Sequence, residues 1–208
     1  MIWHLSLIEW LLLAPAILLA LTVHEMAHAY VAYLHGDPTA SREGRITLNP
    51  LKHLDPVGTL LLLLTGFGWA KPVPINPFYF RGDRNRGVFF TSLAGPGANL
   101  ILSFLAVLMI KVLLVVGITN SYLIVFFKLL ALINIGLGLF NLLPVPPLDG
   151  SKILASLLPP ERRYIVYEME RYGFLILILL LYFGGDIIGP LRTLIYNLEL
   201  ALVGLSGL

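Results

Sequence analysis

The stretch His24-Glu25-Met26-Ala27-His28 lies inside the apolar run from Trp10 to Leu34, where it supplies the only Asp, Glu, Lys, Arg or His residues. Three such side chains within a membrane-length segment are costly unless they have a partner or a task. On a helix, residues four apart share one face a turn apart, so His24 and His28 can ligate one Zn²⁺. Glu25 is then placed to activate a water at that metal. The competing reading is a chance match on an ordinary helix, and burial in lipid argues against it.

The surrounding composition sets the class. Of 208 residues, 58% are hydrophobic and 12% charged, against about 25% charged in soluble domains. The chain reads as an all-α polytopic membrane protein. No cleavable signal peptide is expected, because the first apolar run holds the motif itself. A formal charge of +2 without a basic block excludes a nucleic-acid partner. With no cysteine there is no disulfide, iron–sulfur cluster or thiolate zinc site. Any zinc must rest on imidazole and carboxylate, a set suited to a catalytic site with an open position.

Two further spans carry no charge, Gly87 to Ile110 and Leu129 to Leu148, and each has the ~20 residues a crossing needs. Gly36-Asp37-Pro38 ends the first span. Beyond Tyr172 the chain predicts one or two C-terminal hydrophobic helices. Val57 to Ala70 is apolar but too short to cross, and Lys71-Pro72-Val73-Pro74 follows it. This predicts a short membrane-embedded re-entrant or β element. An edge strand over Thr59 to Pro74, with Gly66 and Gly68 allowing close approach, is one form it can take; a plugging re-entrant loop is the other. Residues 1–208 read as a single membrane-embedded domain without repeats, its core at about residues 10–155.

Positive charge orients the bundle. Arg42, Arg45, Lys52, Lys71, Arg81, Arg84 and Arg86 fall between the first two spans, Lys111 with Lys128 at its far edge between the next two, and Lys152, Arg162, Arg163 and Arg171 after the third. The two basic connections share one side, predicted cytoplasmic, with the N-terminus outside. The motif and the end of the third span both lie toward that side. Arg81, Asp83, Arg84 and Arg86 read as an interfacial patch facing anionic lipid.

A two-His site needs a third ligand. Asp149, in Asn141-Leu142-Leu143-Pro144-Val145-Pro146-Pro147-Leu148-Asp149-Gly150, lies at the right membrane face. Prolines that unwind the helix end can let its carboxylate turn inward. The plain alternative is an Asp-Gly turn.

His24-Glu25-Met26-Ala27-His28 on one span, Asn-x-x-Pro-x-Pro-x-x-Asp-Gly on a later one, and Gly95-Pro96-Gly97-Ala98-Asn99 between them resemble the site-2 protease family of intramembrane zinc metalloproteases. The match covers about residues 10 to 155. The run Gly66 to Pro74 resembles the small prokaryotic type, and no PDZ or CBS segment is expected to screen substrates. The resemblance implies one Zn²⁺ per chain held by His24, His28 and Asp149, with Glu25 as general base. It implies a transmembrane protein as substrate, cut within or near its membrane segment, and a multi-pass location in the cell membrane. It also implies Asn141 and Asn99 near the site or substrate. From the residues alone, Asn99 reads as interhelical glue and Asn141, two turns before Asp149, as site-proximal. Gly95 and Gly97 read as points of close helix packing. His53 is a loop histidine and a further candidate for proximity to the site. Two rival functions remain: a membrane metal-binding or metal-transport protein, and an inactive helix-binding scaffold that intact Glu25 argues against.

Overall fold

The structure, a computed structural model, describes residues 6–65 and 69–205. It is all-helical, without a named strand among the described residues. The first helix, α1 (Leu7–Leu34), starts on a reciprocal cap: Ser6 Oγ accepts from the Glu9 N–H, and Glu9 Oε2 accepts from the Ser6 N–H at 2.7 Å. It ends at Gly36, whose φ of 104° needs glycine. A short α2 (Thr39–Arg42) and the ten-residue α3 (Pro56–Thr65) follow. Then come α4 (Arg84–Val115), capped by Asp83, and α5 (Ser121–Asn141), capped by Asn120. The chain closes with α6 (Asp149–Leu157), α7 (Pro160–Glu170) and α8 (Gly173–Leu202).

Among the described residues α1, α4 and α5 are long and apolar enough to cross a membrane. These three pack on one another, and α8 packs on α5. The core joins Ala16, Ala106, Val107, Leu130, Ala131 and Ile135 to Tyr196, Leu200 and Val203. Small residues dominate the inner face of α1, where Ala16, Ala20, Ala29 and Ala32 are fully buried. In lipid there is no hydrophobic drive between helices, so such close backbone approach is what holds them together. Ser103 of α4 adds a buried hydrogen bond, donating to Glu199 of α8 at 2.7 Å.

Two expectations are corrected and one alternative is resolved. The third span begins at Ser121 rather than Leu129 and stops at Asn141 rather than Leu148. Lys128 therefore lies within α5, exposed, where its long stem can carry the ammonium toward an interface. Pro144, Pro146 and Pro147 lack the donors to continue the helix. The two C-terminal options resolve into one continuous helix, α8, with Pro190 inside it.

The edge strand over Thr59 to Pro74 is not formed: residues 56–65 are helical, and Gly66 and Gly68 lie outside the described residues. Asp55 and Pro56 start α3, with Asp55 Oδ1 accepting from the Gly58 N–H at 2.8 Å. That pair, followed by five leucines with high helix propensity, outweighs the short length. Residues 71–76, later in the chain, form a strap without regular structure, and among the described residues Leu54 and Ala70 make the one antiparallel bridge.

Candidate metal centre

His24 and His28 project from one face of α1, both 5% exposed. The facing surface of α4 repeats the four-residue spacing with Thr91, Gly95 and Asn99. The two helices run antiparallel, so the lower ring meets the upper acceptor. His28 Nδ1 donates to the Thr91 carbonyl and His24 Nδ1 to Asn99 Oδ1, each at 2.6 Å. Gly95, between them, lets the α4 backbone come against both rings. A Cβ there would sit 2.7 Å from His24 Cε1 and Nε2 and closer still to His28 Nε2.

The proline-rich segment after α5 turns the chain so that Asp149 becomes the first residue of α6. Gly150 permits this, since a Cβ would run into the Leu142 and Leu143 carbonyls. Asp149 Oδ2 then lies 3.2 Å from His24 Nε2 and 3.1 Å from His28 Nε2, and the two Nε2 atoms are 3.0 Å apart.

This geometry fits a cation. Both Nδ1 atoms face oxygens that accept, so both carry their protons there, and the neutral rings turn Nε2 lone pairs toward each other and toward a carboxylate. Three acceptors that converge at about 3 Å need positive charge among them, supplied by extra protons or by a metal. Two imidazoles, each oriented by its Nδ1 contact, and a carboxylate make an open zinc set. Among the described residues they form the one such cluster of His, Asp and Glu.

Glu25 is half-buried beside the cluster, and its Oε2 accepts from the Val73 N–H at 3.1 Å. A scaffold holds that strap in place. Arg45, 2% exposed and without a carboxylate partner among the described residues, donates from Nη1 to the Pro72 carbonyl at 3.2 Å and from Nη2 to that of Lys71. The Lys71 N–H donates to the His53 carbonyl at 2.8 Å, and the Asn76 N–H to Asp37 Oδ2 at 2.6 Å.

The other expected residues fall as follows. Asn99 is both glue and partner to His24. It donates from Nδ2 to the Ala20 carbonyl at 3.1 Å and to Asn134 Oδ1 at 2.6 Å. Asn141 bonds the Leu137 carbonyl of its own helix at 3.0 Å and is not joined to the cluster. His53 is buried, bonds the Thr47 carbonyl at 2.8 Å, and supports the strap rather than the metal cluster. Thr91 and Asn134 went unread in the sequence, and Arg45 was read only as one of the basic residues that orient the bundle. A lone amide in mid-span was the available signal for Asn134; a backbone acceptor such as Thr91 gives none.

Residues 115–183, which include Asn141 and Asp149, match the family model described as Peptidase family M50. The chain is 44% identical over 183 residues to "Putative zinc metalloprotease YwhC" of Bacillus subtilis (strain 168), covering 86% of this chain and 82% of that protein. It is 31% identical over 176 residues to "Putative zinc metalloprotease Rip2" of Mycolicibacterium smegmatis, covering 79% of this chain and 64% of that one. Identity to the Rip2 of Mycobacterium tuberculosis (strain ATCC 25618 / H37Rv) is 29% over 168 residues, with 78% and 63% covered. The chain thus spans a little under two thirds of the Rip2 relatives. No solved structure matches it. A relationship of 44% identity along most of both chains, on a bundle that brings two histidines and an aspartate together, means that this protein belongs to peptidase family M50, the site-2 protease family.

Proposed function

We propose that the chain is an intramembrane zinc endopeptidase that hydrolyses a peptide bond within or near a transmembrane segment of another membrane protein. The observation that carries this reading is the convergence of His24 Nε2, His28 Nε2 and Asp149 Oδ2 beside Glu25, within a bundle of membrane-spanning helices. One zinc ion, held by those three atoms, supplies Lewis acidity when bound: it polarises the scissile carbonyl and acidifies the attacking water. Glu25 is the general base of the His-Glu-x-x-His motif. Its Oε2 is engaged by the Val73 N–H, which leaves Oε1 to take the proton from water and return it to the departing amine nitrogen. His24 and His28 stay oriented through their Nδ1 contacts during this exchange.

The substrate helix must unwind to expose a peptide bond, which leaves its backbone groups unsatisfied. The Val73 carbonyl and the Ile75 N–H make no hydrogen bond among the described residues. They lie on the strap that touches Glu25 and can pair with an extended substrate segment. The basic connections support a cytoplasmic location for this end of the bundle, in the cell membrane, with the N-terminus outside. Lipid and the substrate protein are the partners; the whole chain acts as one peptidase domain.

The test is cleavage in a reconstituted membrane. Full-length protein should release a cut product from a transmembrane substrate, and Glu25→Gln should release none while still holding zinc. Cleavage by the Gln variant near the original rate would remove Glu25 from the chemistry.

A further inference from the structure

A carbonyl oxygen can only accept, and this fixes the polarity of a buried chain of hydrogen bonds that begins in α5. The Leu130 carbonyl lies 2.7 Å from Asn134 Nδ2, so the NH₂ end of that amide must face it. Asn134 Oδ1 then faces α4, where Asn99 Nδ2 donates to it at 2.6 Å and to the Ala20 carbonyl at 3.1 Å. Both neighbours of Asn99 Nδ2 are acceptors, so Asn99 turns Oδ1 toward His24. His24 Nδ1, 2.6 Å away, must therefore carry the ring proton, which leaves the lone pair on Nε2. Asn99 and Asn134 are both fully buried, so neither amide has water as an alternative partner.

We propose that Asn134 is a positioning residue for the metal centre: acting through Asn99, it sets the tautomer and the ring angle of His24. This rests on the reading of His24 as a zinc ligand. Without the acceptor at Asn134, the Asn99 amide loses one of the two contacts that define its orientation, and the flipped amide would present NH₂ to His24. The flipped state favours the wrong tautomer. A role as glue between α4 and α5 asks only for some bond between the helices; the positioning role asks for an acceptor pointing at Asn99. The two roles differ in what rescues them.

Full-length protein purified in detergent allows the comparison. Asn134→Leu keeps the branched four-atom shape of the side chain and removes the acceptor. Asn134→Asp, in its neutral acid form, can donate to Leu130 and accept from Asn99, restoring the same polarity. Loss of an outer partner of a metal ligand costs about 10- to 100-fold in metal affinity. Zinc affinity, read by competition with a chelator, should fall by about that factor in Asn134→Leu and return to within about threefold of the original in Asn134→Asp. The absorption spectrum of the cobalt-loaded protein should change in the Leu variant and revert in the Asp variant. Unchanged affinity and spectrum in a folded Asn134→Leu overturn the proposal. Where the Leu variant does not fold, ¹⁵N shifts of His24 in the metal-free original decide: a protonated Nδ1 supports the polarity argument and a protonated Nε2 with bare Nδ1 overturns it. His24→Ala separates the two levels. If that change leaves zinc in place, the ligand reading itself fails; if it removes zinc while Asn134→Leu does not, only the role of Asn134 fails.

Discussion

Substitution of Gly95 by alanine should damage the metal centre although glycine has no side chain to lose. A Cβ built at this position sits 2.7 Å from His24 Cε1 and Nε2, and nearer to His28 Nε2. An unstrained contact needs about 3.5 Å, so the His24 ring or the helix must move by about 0.8 Å, and the His28 ring by more. Neither ring can swing freely, because each is tied by a 2.6 Å hydrogen bond to α4 one turn before or after Gly95. Zinc tolerates only about 0.2 Å of error in ligand distance, and an error near 1 Å can cost about 100-fold in rate. Gly95→Ala should therefore weaken zinc binding at least about tenfold and cleavage about 100-fold. Gly97 is the control. It lies in the same helix, and nothing stands within 4 Å of a Cβ there. Gly97→Ala should be neutral, or stabilise by about 0.5–1 kcal/mol as helix glycines replaced by alanine do. The assay pairs a chelator competition with a cleavage time course. A Gly95→Ala protein that keeps both zinc affinity and rate within twofold would refute the close approach of α4 to the histidines.

Further outcomes follow from other contacts. Metal analysis should find near-stoichiometric zinc in the original protein and little in His24→Ala or Asp149→Ala, since either change leaves two of the three convergent atoms; retained zinc in both would dismiss the cluster. Arg45→Met removes the donors to the Lys71 and Pro72 carbonyls and should lower cleavage with zinc content intact, whereas unchanged cleavage would show that the strap holds without it. Proline at Leu62, Leu63 or Leu64 should disrupt α3, at a cost of about 3 kcal/mol to that helix; normal cleavage by all three variants would free this helix of any part in holding substrate. Arg84→Cys, in a chain with no other cysteine, should react with a membrane-impermeant thiol reagent only from the cytoplasmic side, and labelling from outside alone would reverse the orientation.

What the sequence made legible follows the carriers of the signal. His24, Glu25 and His28 stood out because titratable side chains in apolar spans are rare and demand a reason, and Asp149 because it follows an uncharged span at the same membrane face. Asn99 was visible as a polar amide in an uncharged span, but which ring it serves depends on the antiparallel pairing of α1 and α4, and spacing along one chain does not encode that. Arg45 was counted among the cationic loop residues that orient the bundle, yet it is buried and caps backbone carbonyls. A charge tally registers net sign and cannot tell a lipid-facing guanidinium from one inserted under a strap. Of the two forms open to the short segment before Pro74, the strand was favoured by flanking glycines, whereas the Asp-Pro start and the leucine run make residues 56–65 helical. The end of α5 was placed too late because absence of charge was taken as the limit of the span, when the prolines set it.

The two histidines are oriented by unlike means, and the difference bears on how the site can fail. His28 leans on a backbone carbonyl in α4, which no single side-chain replacement at Thr91 removes. His24 leans on a side chain, which in turn leans on another side chain before the polarity ends at a backbone carbonyl in α5. The His28 contact is therefore as secure as the packing of α1 on α4. The His24 contact depends in addition on the register between α4 and α5, since Asn99 and Asn134 must stay level to meet. Asp149 follows α5 directly through the proline-rich turn, so the same helix that sets the polarity of His24 also delivers the carboxylate proposed as third ligand. A shift of α5 along α4 would disturb both at once, whereas His28 would keep its contact. The metal centre is thus coupled to the packing of α5 through two ligands and to α4 through the third.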